Sequence, residues 1–194
     1  KGVQMKKIAF IVALFFVQFS FSDPIIGQKI KNSRIKMLNG TNAKLFDFNK
    51  EGPLIINFWT TWCTVCNNQI EYLNQMNEHF SGVGVNILGI NINSPDIVNK
   101  IKPHAEKKKI SYDIAIDPNN KIAKKFDVES IPITFIVDNS GTILNKFVGF
   151  SDGGQNEILD ALTVYLDNES IDYGEFSFKE IDKKKNNVEI EADF

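Results

Sequence analysis

The pattern of apolar runs predicts an α/β protein: a mixed central sheet flanked by helices, with an N-terminal β-hairpin. Three observations carry that expectation. The runs LIINFW (54–59), GVNILGINI (84–92) and PITFIV (132–137) have strand length, and turn residues such as Gly52-Pro53 punctuate them. The segments between them have helical periodicity, and strands separated by helices imply parallel pairing. After residue 137, Asn139-Ser140-Gly141 turns the chain back into TILNKFVGF, which adds an antiparallel strand.

Each element follows from a local signal. Two short strands, 33–38 and 43–46, flank Asn39-Gly40, a hairpin turn pair. From Cys63 onward Ile70, Leu73, Met76 and Phe80 recur on one helical face, and Gly82 ends the segment. Ser94-Pro95 opens a second helix reaching about Lys109, followed by a strand at 112–116. Asp117-Pro118 starts a further helix that places Ile122, Ala123 and Phe126 inward. Asp152 is the expected cap of the last helix, whose Ile158, Leu159, Leu162 and Leu166 face the core.

The first 22 residues read differently. Met5-Lys6-Lys7, the apolar run IAFIVALFFVQF and the small residues Ser20 and Ser22 make a secretory signal, with cleavage expected after Ser22. The run is short for the ~20 residues a bilayer span needs, so membrane attachment follows only if the signal stays uncleaved. Residues 1–22 are therefore signal plus upstream residues, 23–168 the folded domain, and 169–194 a charged tail, either a hairpin turning at Asn186-Asn187 or a solvated, disordered segment. The 194 residues carry a net charge of −2, which gives nucleic acid no electrostatic purchase. No segment suggests dimerisation, and a monomer is expected.

The only two cysteines, Cys63 and Cys66, stand in NFWTTWCTVC. A bare C-x-x-C can staple a fold, hold a metal or pass electrons. Stapling is weak, because so short a loop restricts the unfolded chain little. Cys63 falls where a buried strand gives way to a helix. The free N–H groups and the positive dipole end there favour thiolate over thiol. Cys63 is then the nucleophile, and Cys66, about one turn on, the resolving thiol.

The stretch NFWTTWCTVC, the amphipathic helix after it and SIPITF at 130–135 resemble the thioredoxin superfamily. Together with the hairpin and export signal they resemble its extracytoplasmic TlpA/ResA/CcmG group over residues 25–168. The resemblance implies a thioredoxin-like three-layer fold, a protein-disulfide oxidoreductase, and no cofactor or metal. It implies a cis Pro132 beside the thiolate, an Ile131 backbone that pairs with extended substrate, and Trp62 as a docking surface. It also implies export to the periplasm or its equivalent, protein thiols and disulfides as substrates, apocytochrome c among them, and an upstream membrane electron donor.

The chain departs from that pattern where Asn57 replaces a buried aspartate, where Gln69 replaces a glutamate, and where Thr64-Val65 lacks a proline. A buried carboxylate can take the resolving thiol's proton and an amide cannot, which leaves Glu71 or water for that task. Ile131 before Pro132 resembles the thioredoxin-like reductants more than the periplasmic oxidase, and the lack of histidine or lysine between or adjacent to the cysteines goes with the same direction. The alternatives are an oxidase or isomerase of secreted thiols and a binding module that kept the fold. A metal site using His79 or His104 lacks ligand spacing, and a peroxidase reading of Thr60-Thr61-Trp62-Cys63 lacks the upstream proline.

Overall fold

The computed structural model describes residues 25–181; the expected export signal and the expected turn at Asn186-Asn187 lie outside them. One seven-stranded sheet organises the chain. Strands β1 (Arg34–Met37) and β2 (Asn42–Lys44) form the hairpin around Gly40, whose φ of 90° suits glycine. The others are β3 (Leu54–Trp59), β4 (Asn86–Asn91), β5 (Asp113–Ile116), β6 (Ile133–Val137) and β7 (Ile143–Val148). The order is β2-β1-β5-β4-β3-β6-β7, with β3, β4 and β5 mutually parallel and the remaining pairings antiparallel. Strand β3 has neighbours on both edges and buries all six of its residues, which is why its sequence is almost wholly apolar.

Three α-helices, α1 (Thr64–Phe80), α2 (Ile101–Lys107) and α3 (Gly154–Asn168), gather on one face of the sheet. There Leu73, Met76 and Phe80 of α1 and Ile158, Leu162 and Leu166 of α3 cover Ile55, Ile87 and Ile136. Ile101 and Ala105 of α2 pack with Trp59, Ile70 and Ile114. The alternate strand residues, Ile56, Phe58, Leu88 and Phe135, form a second core with Phe126, Ile25 and Ile30.

The helix expected from Asp117-Pro118 is only a 3-10 turn, Ala123–Phe126. The Asp117 carboxylate accepts from the N–H groups of Lys121, Ile122 and Ala123 at 2.7–2.9 Å, which draws that backbone into a turn. The third layer is thus a turn and N-terminal loops rather than a long helix. The helix expected from Ser94 splits as well. Pro95–Lys100 is 3-10, and the α-helix starts at Ile101, which keeps Pro103 within a first turn where its missing N–H costs nothing. Helix α3 is capped by Gly153, at φ 91°, rather than by Asp152.

Residues 169–181, expected as part of a solvated or hairpin tail, form an extended strap against the outer side of α1. Phe176 packs on His79 and Phe80, and Phe178 meets Tyr72 edge-on at 5.3 Å. The Lys179 N–H donates to Gln75 Oε1 at 2.8 Å, and His79 Nε2 lies 2.7 Å from the Tyr173 carbonyl. The alternation in FSFKEI is that of an extended segment turning its aromatics to one side.

One glycine shapes the ground below the cysteines. A Cβ on Gly89 would sit 3.0 Å from both Trp59 Nε1 and Tyr112 Cε2, so only glycine lets the two rings lie flat on β4. Burial there pushes the Tyr112 phenol well above its ordinary value.

Candidate active site

Strand β3 delivers the chain at Trp59 into a four-residue turn, and α1 begins at Thr64 with Cys63 as its N-cap. Cys63 and Cys66 form a disulfide with 5.2 Å between their Cα atoms. Cys63 Sγ accepts from the Cys66 N–H at 3.1 Å, the part a serine or aspartate oxygen plays at other helix starts. That sulfur therefore meets the positive end of a 17-residue helix. Cys63 is 8% exposed and Cys66 1%, so one sulfur faces the surface and the other lies behind it.

Around the pair the surface is apolar and open. Trp62 is 67% exposed and Val65 41%. The Ile131-Pro132 bond is cis, as the resemblance implied, and Ile131 packs against the cluster holding Trp59 and both cysteines. Pro132 is buried, and its carbonyl accepts from the Gly149 N–H at 2.8 Å, which ties its loop to the end of β7.

Beneath Cys66 lies a closed polar cluster. Asn57 Nδ2 donates to Gln69 Oε1 at 2.8 Å and to Thr134 Oγ1 at 2.9 Å, and Gln69 Nε2 donates to the same hydroxyl at 3.0 Å. Gln69 stands three residues after Cys66 on the same helical face, and Asn57 pairs with Thr134 across β3 and β6. All three are at most 1% exposed. The amides that replaced two carboxylates thus satisfy one another, and they bind helix, central strand and proline strand into one unit. Sequence reading missed Thr134, because threonine in a strand reads as an ordinary β-former.

Two further braces were also missed. Asn93 accepts from the Thr61 N–H at 3.0 Å and donates to Thr61 Oγ1 at 2.8 Å, which holds the turn before Cys63. His104, assigned from sequence to a separate helix, reaches the site: its Nε2 lies 2.8 Å from Asn67 Oδ1 and its ring 5.7 Å from that of Trp59. The signal for Asn93 was its place just past a parallel strand's C-terminal end, where ligand and site residues collect in α/β folds. Glu71 is partly exposed and stands five residues beyond Cys66, about 140° round the helix at ~100° per residue. His79 sits at the far end of α1 under the strap, and among the described residues no three His, Cys, Asp or Glu side chains converge.

A disulfide at a helix N-terminus, with a cis-proline loop packed on the same cluster, defines a thioredoxin-like thiol–disulfide oxidoreductase. The AhpC/TSA family pattern matches residues 26–146, and the chain belongs to that family. The thiol-disulfide oxidoreductase ResA of Bacillus thuringiensis subsp. konkukian is 28% identical over 124 residues, 64% of this chain and 70% of ResA. A secreted Mycobacterium tuberculosis disulfide oxidoreductase homologous to E. coli DsbE superposes with a TM-score of 0.58 at 20% identity, covering 69% of this chain and 96% of that one. The peroxidoxin BcpB of the same organism reaches 0.63 at 20% identity over 72% and 96%, a likeness of fold alone.

Proposed function

We propose that this protein works outside the cytosol as a reductant of disulfides in exported proteins, the haem-binding cysteine pair of apocytochrome c being one candidate among them. The observation that carries this reading is the asymmetry of the pair: an outer sulfur on a helix N-terminus beside an open apolar face, an inner sulfur shielded behind it. The similarity to ResA supports thiol–disulfide exchange, and the fold shared with a secreted oxidoreductase accords with the compartment. The N-terminal export-signal pattern supports the compartment as well, and the isoleucine before Pro132 the direction.

In the dithiol form, the Cys63 thiolate attacks one sulfur of a substrate disulfide. A Cys63–substrate disulfide forms, and the displaced substrate thiolate takes a proton. Cys66 loses its proton to solvent and attacks Cys63 Sγ, which closes the 63–66 disulfide and frees the second substrate thiol. Two electrons pass to the substrate, and a membrane-bound dithiol donor restores them. Trp62, Ile131 and Pro132 hold the substrate's extended backbone over Cys63. The neutral Asn57–Gln69–Thr134 cluster leaves proton removal from Cys66 to water, with Glu71 the nearest sequence candidate for assisting from the flank.

The test uses an oxidised peptide bearing the C-x-x-C-H haem-attachment pattern. The reduced protein should convert it to the dithiol in equimolar amount. Cys66→Ser should stop at a mixed disulfide through Cys63, and Cys63→Ser should do nothing. Reduced protein that leaves the peptide oxidised, or oxidised protein that rapidly oxidises the dithiol peptide, would overturn the reading.

A further inference from the structure

The described part of the strap after α3 reaches the neighbourhood of the cysteines at Ile181. It runs antiparallel to α1, from Tyr173 and Phe176 at the helix's C-terminal end, past Phe178 on Tyr72, to Ile181. Ile181 shares a cleft of 80 Å³ with Val65, one of the two residues between the cysteines; Tyr72 and Phe150 complete its apolar lining, and Asn68, Ser151 and Asp152 supply polar lining. Tyr72 and Phe150 are themselves in ring contact at 5.7 Å, so the floor is built by α1 and the chain after β7 together. The cleft is continuous with the redox face, because Val65 belongs to both and is 41% exposed.

We infer that this cleft is a subsite for one aliphatic side chain of the polypeptide whose disulfide is exchanged, and that the strap, which lies beyond the matched family region, sets this specificity. The inference rests on the redox reading above. Its volume would take two or three waters at ~30 Å³ each, or one branched aliphatic side chain. A polypeptide with its cysteine over Cys63 must pass within a few residues of Val65, so such a side chain reaches the cleft without leaving the redox face. A slot walled by Val65, Tyr72, Phe150 and Ile181 separates a filling aliphatic side chain from glycine by about tenfold or more in kcat/KM, and it contributes nothing to a small disulfide that does not span it.

The experiment uses decapeptides with one cysteine held as a mixed disulfide with glutathione. Leucine or glycine is placed in turn at each of the four positions on either side. The reduced full chain should cleave one leucine peptide about tenfold faster than its glycine counterpart. Ile181→Asp should abolish that preference and leave the rate on glutathione disulfide unchanged, and Ile181→Leu should retain it. Absence of a leucine preference at every position, or a preference that survives Ile181→Asp, would overturn the subsite while the redox reading stands. Failure of the wild-type chain to reduce even glutathione disulfide would overturn both.

Discussion

The two ends of α1 are built on opposite principles. Its N-terminal end is held by directional hydrogen bonds: Asn93 on Thr61, His104 on Asn67, and Gln69 within the Asn57–Thr134 cluster. Its C-terminal half has hydrogen bonds too, from Gln75, Asn77 and His79, but its buried centre is a cluster of rings: Phe80 is fully buried and clasped by His79, Tyr173 and Phe176. Hydrogen bonds add about 1 kcal/mol each but fix atoms to within a few tenths of an ångström, whereas buried aromatics contribute several kcal/mol with looser geometry. One end therefore positions the sulfurs, and the other keeps the helix in place. Changes at the aromatic end should cost stability and leave the redox couple alone. Changes at the polar end should do the reverse.

The largest effect is expected from Phe80→Ala, which should cost about 3–5 kcal/mol in chemical denaturation while leaving the Cys63–Cys66 potential unmoved. A shifted potential would show that the ends are not separable. Next comes Gln69→Glu. Its Oε1 acceptor survives, but a buried carboxylate with one amide donor is poorly compensated, so its folded-state pKa should rise above the ordinary ~4.3. A raised carboxyl pKa means the folded state holds the proton more tightly. The variant should thus match wild type at low pH and lose stability, about 1–3 kcal/mol, as pH climbs past ~4.3 to the raised value. The regained carboxylate should also speed release of the mixed disulfide at high pH, which stopped-flow fluorescence would read. A flat pH profile for both quantities would contradict the proposed place of the cluster.

A smaller change is expected from Asn93→Ala, which strips two partners from Thr61 and should cost about 1–2 kcal/mol while altering the potential. Trp62→Ala is the smallest in stability, within about 0.5 kcal/mol, because the ring is mostly in solvent. It should nonetheless slow reduction of peptide disulfides more than that of glutathione disulfide. Equal slowing of both would remove Trp62 from the docking face.

Much of this contrast was visible in the residues, and the part that was not has a common cause. Strand β3 was read to the residue because a central strand must be apolar along its whole length between its turn signals. The start of α1 was read because Cys63 caps it at a strand end. The helix after Asp117 was misread because periodicity in Ile122, Ala123 and Phe126 says nothing about a carboxylate that takes the N–H groups of Lys121, Ile122 and Ala123. The strap was misread because its charged residues mask two aromatics whose partners on α1 lie about a hundred residues upstream. Thr134, Asn93 and His104 share that reason: each acts through hydrogen bonds to residues more than thirty positions away, and no local pattern records such bonds.

The most direct test is the equilibrium reduction potential of Cys63–Cys66, followed by tryptophan fluorescence against a dithiothreitol or glutathione series. The account predicts a reversible two-electron transition at or below ~−230 mV, toward the ~−270 mV of thioredoxin. A value near ~−120 mV would make the protein an oxidant and contradict its place as a donor of electrons to exported disulfides.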